Sequence, residues 1–283
     1  MKTLVYYHND MDGKCSAAIV NKLLKDITNL IFVPLTYDDK VELPTDIWAY
    51  WRVYILDFTL PERQMDELCT LFPRTDVIWI EHHITSLEKF ESKYGHFEGV
   101  RKNGTAASEL TWKFMYGKDS VLPTAVKYIA DRDLWKIDDE NVMYFYEWLT
   151  TKDTNPKWFS FWDRLFLDYS LDSMIERGQL LRRARISQMK RDVNSLGYDS
   201  EIDGYKCLKV NYSSFESISD AGRYICDDLK YPVAWIWHVK KNNSGQMVKI
   251  HSLRSNGDLD VSEIAVKMGG GGHKNASGFV EYV

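Results

Sequence analysis

The hydrophobic residues of the first third of the chain fall into short runs that are rich in β-branched and aromatic side chains. These runs occupy residues 4–7, 31–35, 53–56 and 77–80, and such continuous apolar runs are typical of parallel strands covered on both faces. Residues 16–25 and 60–71 carry helical spacing, and Thr59, Pro61 and Glu62 are start signals for the second of these helices. Strands that alternate with helices predict an α/β domain with a parallel sheet.

The pattern changes in the middle of the chain. Residues 133–169 are unusually aromatic, which we interpret as helices packing onto the sheet, with a base-stacking surface as the alternative. Residues 171–193 predict one long connecting helix. One face of this helix is basic. We interpret this face as exposed to solvent, with the border of a phosphate-binding cleft as the alternative.

A second, smaller α/β domain is predicted at the C-terminal end. Its strands are expected at residues 207–210, 233–239 and 247–253, and its helices at residues 219–229 and 261–268. The predicted domain boundaries are therefore an N-terminal parallel-sheet domain at 1–170, a linker helix at 171–196 and a C-terminal domain at 197–283.

Bulk composition narrows the class of protein. A length of 283 residues exceeds the usual size of one hydrophobic core, and 45% hydrophobic residues support a globular chain. A net charge of -5 argues against a protein that coats long nucleic acid, since such proteins carry a basic surplus. The apolar runs fall far short of the roughly 20 residues of a membrane span. No leader opens the sequence, so we expect a soluble, cytoplasmic protein without a membrane contact.

Metal-capable side chains follow the first predicted strand. His8 and Asp10 come at its end, with Asp12 two positions further on, immediately before a helix. The carboxyl ends of strands form the ligand crevice in open parallel sheets, so these side chains can converge on divalent cations. Asp12 could instead cap the helix that follows it.

The same pattern recurs at later strand ends. Asp57 follows residues 53–56, and His82 and His83 follow residues 77–80 and Glu81. Asp131 ends a further apolar stretch. Mixed carboxylate and imidazole ligands suit manganese, magnesium or iron rather than a thiolate-rich zinc site. Pairs of such ions activate water in phosphoryl-transfer enzymes, so these residues predict hydrolysis of a phosphate ester or anhydride.

A glycine-rich segment near the C-terminus is the second candidate site. Residues 269–272 are four consecutive glycines, which let the backbone approach an anion and direct amide groups at it. Because an apolar strand is predicted at residues 279–283, a binding loop is favoured over a flexible linker. Arg254, at the end of an earlier strand, carries a planar guanidinium suited to phosphate, with an ordinary surface arginine as the alternative.

Taken together, these residues resemble the motifs of the DHH superfamily of phosphoesterases, which includes RecJ-like exonucleases and nano-RNases. The first motif is HNDMDG at residues 8–13, the second is Asp57, the third is EHH at residues 81–83 and the fourth is Asp131. The DHH-associated C-terminal domain is represented by Arg254 and residues 269–278. These motifs span nearly the whole chain. The resemblance implies a catalytic DHH domain at the N-terminus and a substrate-binding domain at the C-terminus.

The resemblance also implies roles for single residues. His8, Asp10 and Asp57 would hold one manganese ion, with magnesium as the alternative metal. The second ion would be held by Asp12, Asp57, His82 and Asp131, with Asp133 as the rival of Asp131.

By the same resemblance, Asp57 and His83 would be catalytic, and His83 would face the scissile phosphate. Arg254 and His273 would grip the rest of the substrate, together with the backbone of Gly270, Gly271 and Gly272. The motif that names the family begins with Asp, whereas here it begins with Glu81. This position is expected to support the ligands rather than bind metal.

Several functions compete within this resemblance. Hydrolysis of short oligonucleotides to nucleoside monophosphates by a two-metal-activated water is favoured, because the acidic balance and compact length leave no room for further nucleic-acid domains. The alternatives are hydrolysis of a cyclic dinucleotide or of 3'-phosphoadenosine phosphate, a single-stranded DNA exonuclease, and a catalytically silent nucleotide-binding module. A short oligonucleotide or small nucleotide is thus the expected partner, and no protein partner is implied.

Overall fold

A computed structural model of the chain describes residues 1–37, 39–70, 76–214, 217–242 and 245–283. These residues form two compact units, Met1–Leu180 and Leu181–Val283. The division falls inside the long helix that was predicted as a linker. The sequence-based boundaries at residues 170 and 197 stay a prediction.

The N-terminal unit contains a four-stranded, fully parallel sheet in the order β2-β1-β3-β4. The strands are β1 (Lys2–His8), β2 (Asn29–Leu35), β3 (Tyr50–Leu56) and β4 (Asp76–Ile80). All four predicted apolar runs lie in these strands, and the α/β prediction with a parallel sheet is confirmed.

Both faces of this sheet are buried. Leu4, Val53 and Trp79 belong to the core on one face, whereas their neighbours Val5 and Tyr54 pack on the other face with helix residues. Because successive side chains of a strand point to opposite faces, a strand buried on both sides needs an unbroken apolar run. This requirement explains the pattern seen in the sequence.

Eight helices of the described residues belong wholly or partly to this unit. They are α1 (Met11–Leu24), α2 (Glu62–Thr70), α3 (Ile84–Tyr94), α4 (Ala107–Tyr116), α5 (Thr124–Asp133), α6 (Glu140–Leu149), α7 (Phe159–Phe166) and α8 (Leu171–Leu196). A short 3₁₀ turn also occupies Ile47–Ala49. The predicted helix at 60–71 corresponds to α2, and Leu71 lies outside the described residues.

The aromatic segment of the middle of the chain supplies the core of a helical layer. Phe145, Trp162 and Phe166 are buried with Ile19 of α1 and Ile129 of α5. None of the helices in the described part of the chain combines the length and the apolar composition that a bilayer-crossing segment requires.

The C-terminal unit is built on a six-stranded mixed sheet in the order β5-β6-β7-β8-β10-β9. Its strands are β5 (Tyr198–Ile202), β6 (Tyr205–Asn211), β7 (Val233–Lys241), β8 (Met247–Arg254), β9 (Gly271–His273) and β10 (Ala276–Tyr282). Helices α9 (Ile218–Arg223), a π-helical turn (Tyr224–Asp228) and α10 (Val261–Lys267) complete it. Strands β5 and β9 were not predicted from the sequence.

Candidate metal centre

The side chains predicted to bind metal gather at the carboxyl edge of the parallel sheet. His8 is the last residue of β1, Asp57 directly follows β3, and His82 lies two positions beyond β4. Asp10 caps the N-terminus of α1, where its side chain accepts a hydrogen bond from the Gly13 N–H. The parallel topology therefore brings together residues that are separated by up to about seventy positions in sequence.

Glycine is required at position 13 by the close approach of α1 to β1. A Cβ atom there would lie 2.1 Å from the carbonyl oxygen of His8. The tight turn from β1 into α1 is what holds Asp10 and Asp12 beside His8.

Asp57 lies at the centre of the cluster. One carboxylate oxygen of Asp57 is 3.0 Å from His82 Nε2, and the other is 3.6 Å from His8 Nδ1. His8 Nδ1 is also 2.9 Å from Asp10, and His82 Nε2 is 3.6 Å from Asp133 and 3.9 Å from Asp12. Three overlapping groups result, each with ligand atoms within 4.8 Å of one another. They are His8, Asp10 and Asp57; Asp57, His82 and His83; and Asp12, His82 and Asp133.

These atoms are close together, yet they are not satisfied by hydrogen bonds. Both carboxylate oxygens of Asp57, Nδ1 of His8 and Nε2 of His82 are buried without a hydrogen-bond partner among the described residues. Buried polar atoms are normally paired, and an unpaired buried carboxylate is costly. Divalent cations would satisfy all four atoms, so the residues present fit such ions.

Electrostatic repulsion within the cluster also favours the binding of cations. Burial and the nearby Asp133 carboxylate raise the pKa of Asp12 to about 7. Burial and the charge of Asp12 hold the pKa of Asp57 well above its ordinary value, and burial also raises the pKa of Asp133. Three carboxyl groups thus resist ionisation in the protein alone, and a cation among them would reverse that resistance.

The backbone of Asp57 is itself unusual. Its φ angle is 55°, in the left-handed region that non-glycine residues rarely adopt. The N–H of Asp57 donates to the carbonyl of Ile80, which ties the end of β3 to the end of β4. This strained turn aims a fully buried carboxylate at the two histidines.

Asp12 has a structural role in addition to its place in the cluster. Its two oxygens accept hydrogen bonds from the main-chain N–H groups of Ala107 and Ser108, at 2.7 and 3.0 Å. These groups begin α4, so Asp12 caps that helix and not α1, which Asp10 caps. Each carboxylate oxygen retains a second lone pair that could bind a cation.

The structure places Asp133, the rival of Asp131 in the sequence, beside the cluster as its fourth carboxylate. Asp131 forms an ion pair with Lys127 at 2.5 Å and belongs to none of the three groups. Both residues lie in α5, where positions two apart project about 200° from each other. Asp131 was chosen because it ends an apolar stretch, but on a helix that stretch does not fix its direction.

Glu81 supports the histidines in a buried network. Its Oε1 accepts hydrogen bonds from the main-chain N–H of His82 at 2.7 Å and of His83 at 2.9 Å, and lies 2.7 Å from Nδ1 of His83. Its Oε2 accepts from the Thr59 hydroxyl at 2.8 Å. Burial opposes ionisation of Glu81, but the bonds from His83 outweigh it and lower the pKa. Glu81 is absent from the three potential metal-binding groups.

Two aromatic residues beside the cluster were not predicted from the sequence. Tyr37 stacks on Phe58 with ring centroids 5.1 Å apart, and it also lies 5.1 Å from the His8 ring and 6.1 Å from the His83 ring. Tyr37 is 60% exposed. Both residues follow strand ends, the same signal that identified Asp57, but the sequence analysis considered only metal-capable side chains at such positions.

The C-terminal candidate residues lie in the second unit. Gly271, Gly272 and His273 form the edge strand β9, so part of the predicted loop is a short hairpin strand paired with β10. Gly270 precedes it, where a Cβ atom would lie 2.1 Å from the Gly278 carbonyl oxygen. Arg254 ends β8. Arg254 and Gly270 to Gly272 line a groove of about 530 Å³, and His273 is exposed beside it.

A curated viral protein is similar to this chain in sequence. No family model matches the chain. Uncharacterized protein R106 of Acanthamoeba polyphaga mimivirus is 28% identical over 239 residues, which are 80% of this chain and 52% of the viral protein. The chain therefore spans about half the length of the curated relative that it matches.

Solved structures are similar over the full length of the chain. The pGpG-specific phosphodiesterase PggH from Vibrio cholerae has a TM-score of 0.51 at 13% identity, covering 100% of this chain and 94% of that one. RecJ from Thermus thermophilus in complex with Mn²⁺ has a TM-score of 0.43 at 13% identity, covering 98% and 49%. The likeness to PggH shows the fold, and it confirms the DHH-type fold that the resemblance predicted.

The first prediction concerns Asp57→Asn, which keeps a residue type that tolerates the left-handed backbone. The raised pKa means that the folded metal-free chain binds this proton more tightly than the unfolded chain, so ionisation of Asp57 costs stability as the pH rises. At pH 8 without metal, the variant should melt at or above the wild-type temperature.

Saturating Mn²⁺ should raise the wild-type melting temperature by several degrees, since about 100-fold excess over Kd adds roughly 2.7 kcal/mol. The variant should lose this increment, and an equal Mn²⁺ increment in both proteins would contradict the assignment.

A second prediction uses the neighbouring pair on α5. Asp133→Asn should weaken Mn²⁺ binding by more than roughly 10-fold, because it removes a carboxylate from the cluster. Asp131→Asn is the matched control and should bind Mn²⁺ as the wild type does, since only its pair with Lys127 is lost. Isothermal titration with Mn²⁺ measures both. A larger loss from Asp131→Asn would restore the sequence-based choice.

Proposed function

We propose that this chain, which has the DHH-type phosphoesterase fold, is a divalent-metal-dependent phosphodiesterase that hydrolyses short oligonucleotides to nucleoside monophosphates. The observation that carries the proposal is the cluster of four aspartates and three histidines at the carboxyl edge of the sheet, with its central oxygens buried and unpaired. Hard oxygen and borderline imidazole ligands suit manganese or magnesium.

The geometry suits two ions. His8, Asp10 and Asp57 would hold one of them, and Asp12, Asp57, His82 and Asp133 would hold the other. Asp57 would face both, with one oxygen toward His8 and the other toward His82. When bound, such a pair supplies an activated water and neutralises charge on the departing oxygen.

His83 would contact the scissile phosphate. Ionised Glu81 can only accept hydrogen bonds, so its 2.7 Å contact requires a proton on Nδ1 of His83. The ring is thereby oriented, and Nε2 is left for the substrate. Because Thr59 and two main-chain N–H groups fix Glu81 in turn, this orientation does not depend on the substrate.

The groove of the C-terminal unit would bind a substrate phosphate. Burial lowers the pKa of the Arg254 guanidinium, and this group forms no ion pair among the described residues. One of its N–H groups donates to the Leu253 carbonyl, which leaves further donors for an anion. The glycine strand and His273 would complete the contact with the nucleotide.

The preference for a short substrate rests on two observations. The net charge of -5 does not favour long nucleic acid, and the structurally similar PggH is named for its action on pGpG. Cyclic dinucleotides, 3'-phosphoadenosine phosphate and long single-stranded DNA are the rival substrates. A silent nucleotide-binding module is the rival function, suggested by Glu81 in place of Asp.

A substrate panel tests this proposal. The purified chain with Mn²⁺ should hydrolyse di- to pentanucleotides to monophosphates faster than long single strands, cyclic dinucleotides, 3'-phosphoadenosine phosphate or pyrophosphate. Activity should be lower with magnesium and disappear with a chelator. His273→Ala should impair dinucleotide hydrolysis by up to roughly 100-fold, yet spare bis-nitrophenyl phosphate, which has little for the groove to position.

The controls separate the rival functions. Asp133→Asn should abolish turnover on every substrate, whereas Asp131→Asn should not. Undiminished turnover after exhaustive chelation would exclude the metal-dependent reaction. Nucleotide binding without turnover of any substrate would instead identify the silent module.

A further inference from the structure

A second pocket lies in the helical layer of the N-terminal unit and shares no residue with the metal centre. It has a volume of about 500 Å³ and is formed by the end of α6, the segment that follows it, α7 and the start of α8. Three aromatic residues and three cations line it, together with three serines and a methionine. The aromatic residues are Trp148, Trp158 and Phe161, and the cations are Lys152, Arg164 and Arg177. We call it the aromatic pocket.

We propose that the aromatic pocket binds one nucleotide unit of a single-stranded nucleic acid, with the base on Trp158 and the phosphate among the three cations. The aromatic segment that forms it was interpreted from the sequence as core, with base stacking as the alternative. In the structure, some residues of this segment form the core, as Trp162 does, whereas others line the pocket, as Trp158 does.

Trp158 is available for stacking. Its side chain is 54% exposed, and no ring contact to it is found among the described residues. Its backbone is fixed, because its N–H donates to Asn155 and its carbonyl accepts from Phe161 and Trp162. The indole is therefore presented by an ordered turn. By contrast, Trp162 is 1% exposed and belongs to the core.

The floor of the pocket is already packed. Trp148 is 6% exposed and stacks with Phe161 at a centroid distance of 6.2 Å and an interplanar angle of 23°. Lys152 Nζ lies 5.0 Å from the centre of the Trp148 ring. The Trp148 face is therefore occupied by Lys152, which leaves the exposed Trp158 ring for the base and sets a cation beside it for the phosphate.

The cations of the pocket are not neutralised. Lys152, Arg164 and Arg177 are exposed, and none forms an ion pair with a carboxylate in the described part of the chain. Asp163, the acidic neighbour of Arg164, pairs with Lys22 instead. No described acidic residue lines the pocket. In a chain of net charge -5, this local excess of positive charge favours an anionic, aromatic ligand.

Binding can be measured without turnover, which makes this inference independent of the proposed hydrolysis. A fluorescent oligothymidylate is titrated with the full-length chain in EDTA and followed by fluorescence anisotropy. Trp158→Ala should weaken binding by about five- to 150-fold, the range for loss of one stacked base. Trp158→Phe should retain most of the affinity. Trp48→Ala is the matched control, since Trp48 is 73% exposed and lies outside the pocket.

The salt dependence tests the cations. Arg177→Ser should lower the slope of log affinity against log salt by about 0.7, as expected when one contact to a single strand is lost. Lys118→Ser, a change outside the pocket, should leave the slope unaltered. Competition with free thymidine monophosphate distinguishes a strand from a free nucleotide. A strand that binds far more tightly than the monophosphate supports the proposal, and equal affinity overturns its single-strand assignment.

The proposal is also overturned if Trp158→Ala binds the strand as the wild type does, or loses no more affinity than Trp48→Ala. Failure of the hydrolysis panel would leave this result untouched, because no metal and no turnover enter the binding assay. A strand whose binding depends on Trp158 but which is not hydrolysed would therefore support the pocket while contradicting the proposed reaction.

Discussion

The repulsion between carboxylates at the end of a buried sheet is the constraint on which the rest of the N-terminal unit depends. Parallel strands bring their carboxyl ends to one edge, and here three of them deliver acids and imidazoles to the same small volume. Burial alone makes each negative charge costly, and proximity adds to the cost. The pKa values of Asp12, Asp57 and Asp133 are raised, so the side chains around them do not offset the cost of ionising these carboxyl groups.

Local structure holds the cluster in place despite this cost. A left-handed residue at Asp57, a close turn at Gly13 and the capping of α4 by Asp12 are all fixed by main-chain contacts. Glu81 adds a second layer by orienting His83 through a network that also includes Thr59. Strained, well-supported and electrostatically unfavourable arrangements of this kind are characteristic of binding sites, because the ligand completes them.

Sequence reasoning found the parts of this arrangement that follow from strand periodicity. The position of Asp57 directly after an apolar run was sufficient to place it at the site, because the carboxyl ends of parallel strands all lie at the same edge of the sheet. It could not decide between Asp131 and Asp133, because that choice depends on the rotation of α5 about its axis. Tertiary packing sets this rotation and turns Asp133 toward His82. Sequence reasoning could not distinguish Trp158 from Trp162 either, because both lie in one aromatic segment and only packing shows which indole is exposed.

Asp57 is proposed to lie between two divalent ions at the edge of the parallel sheet. The most direct test is a crystal structure of the chain grown with Mn²⁺, with anomalous diffraction recorded at the manganese absorption edge. We expect two anomalous peaks about 3.5 to 4 Å apart, one near His8 and the other near His82, with one Asp57 oxygen facing each. A single peak, or peaks away from Asp57, would contradict it.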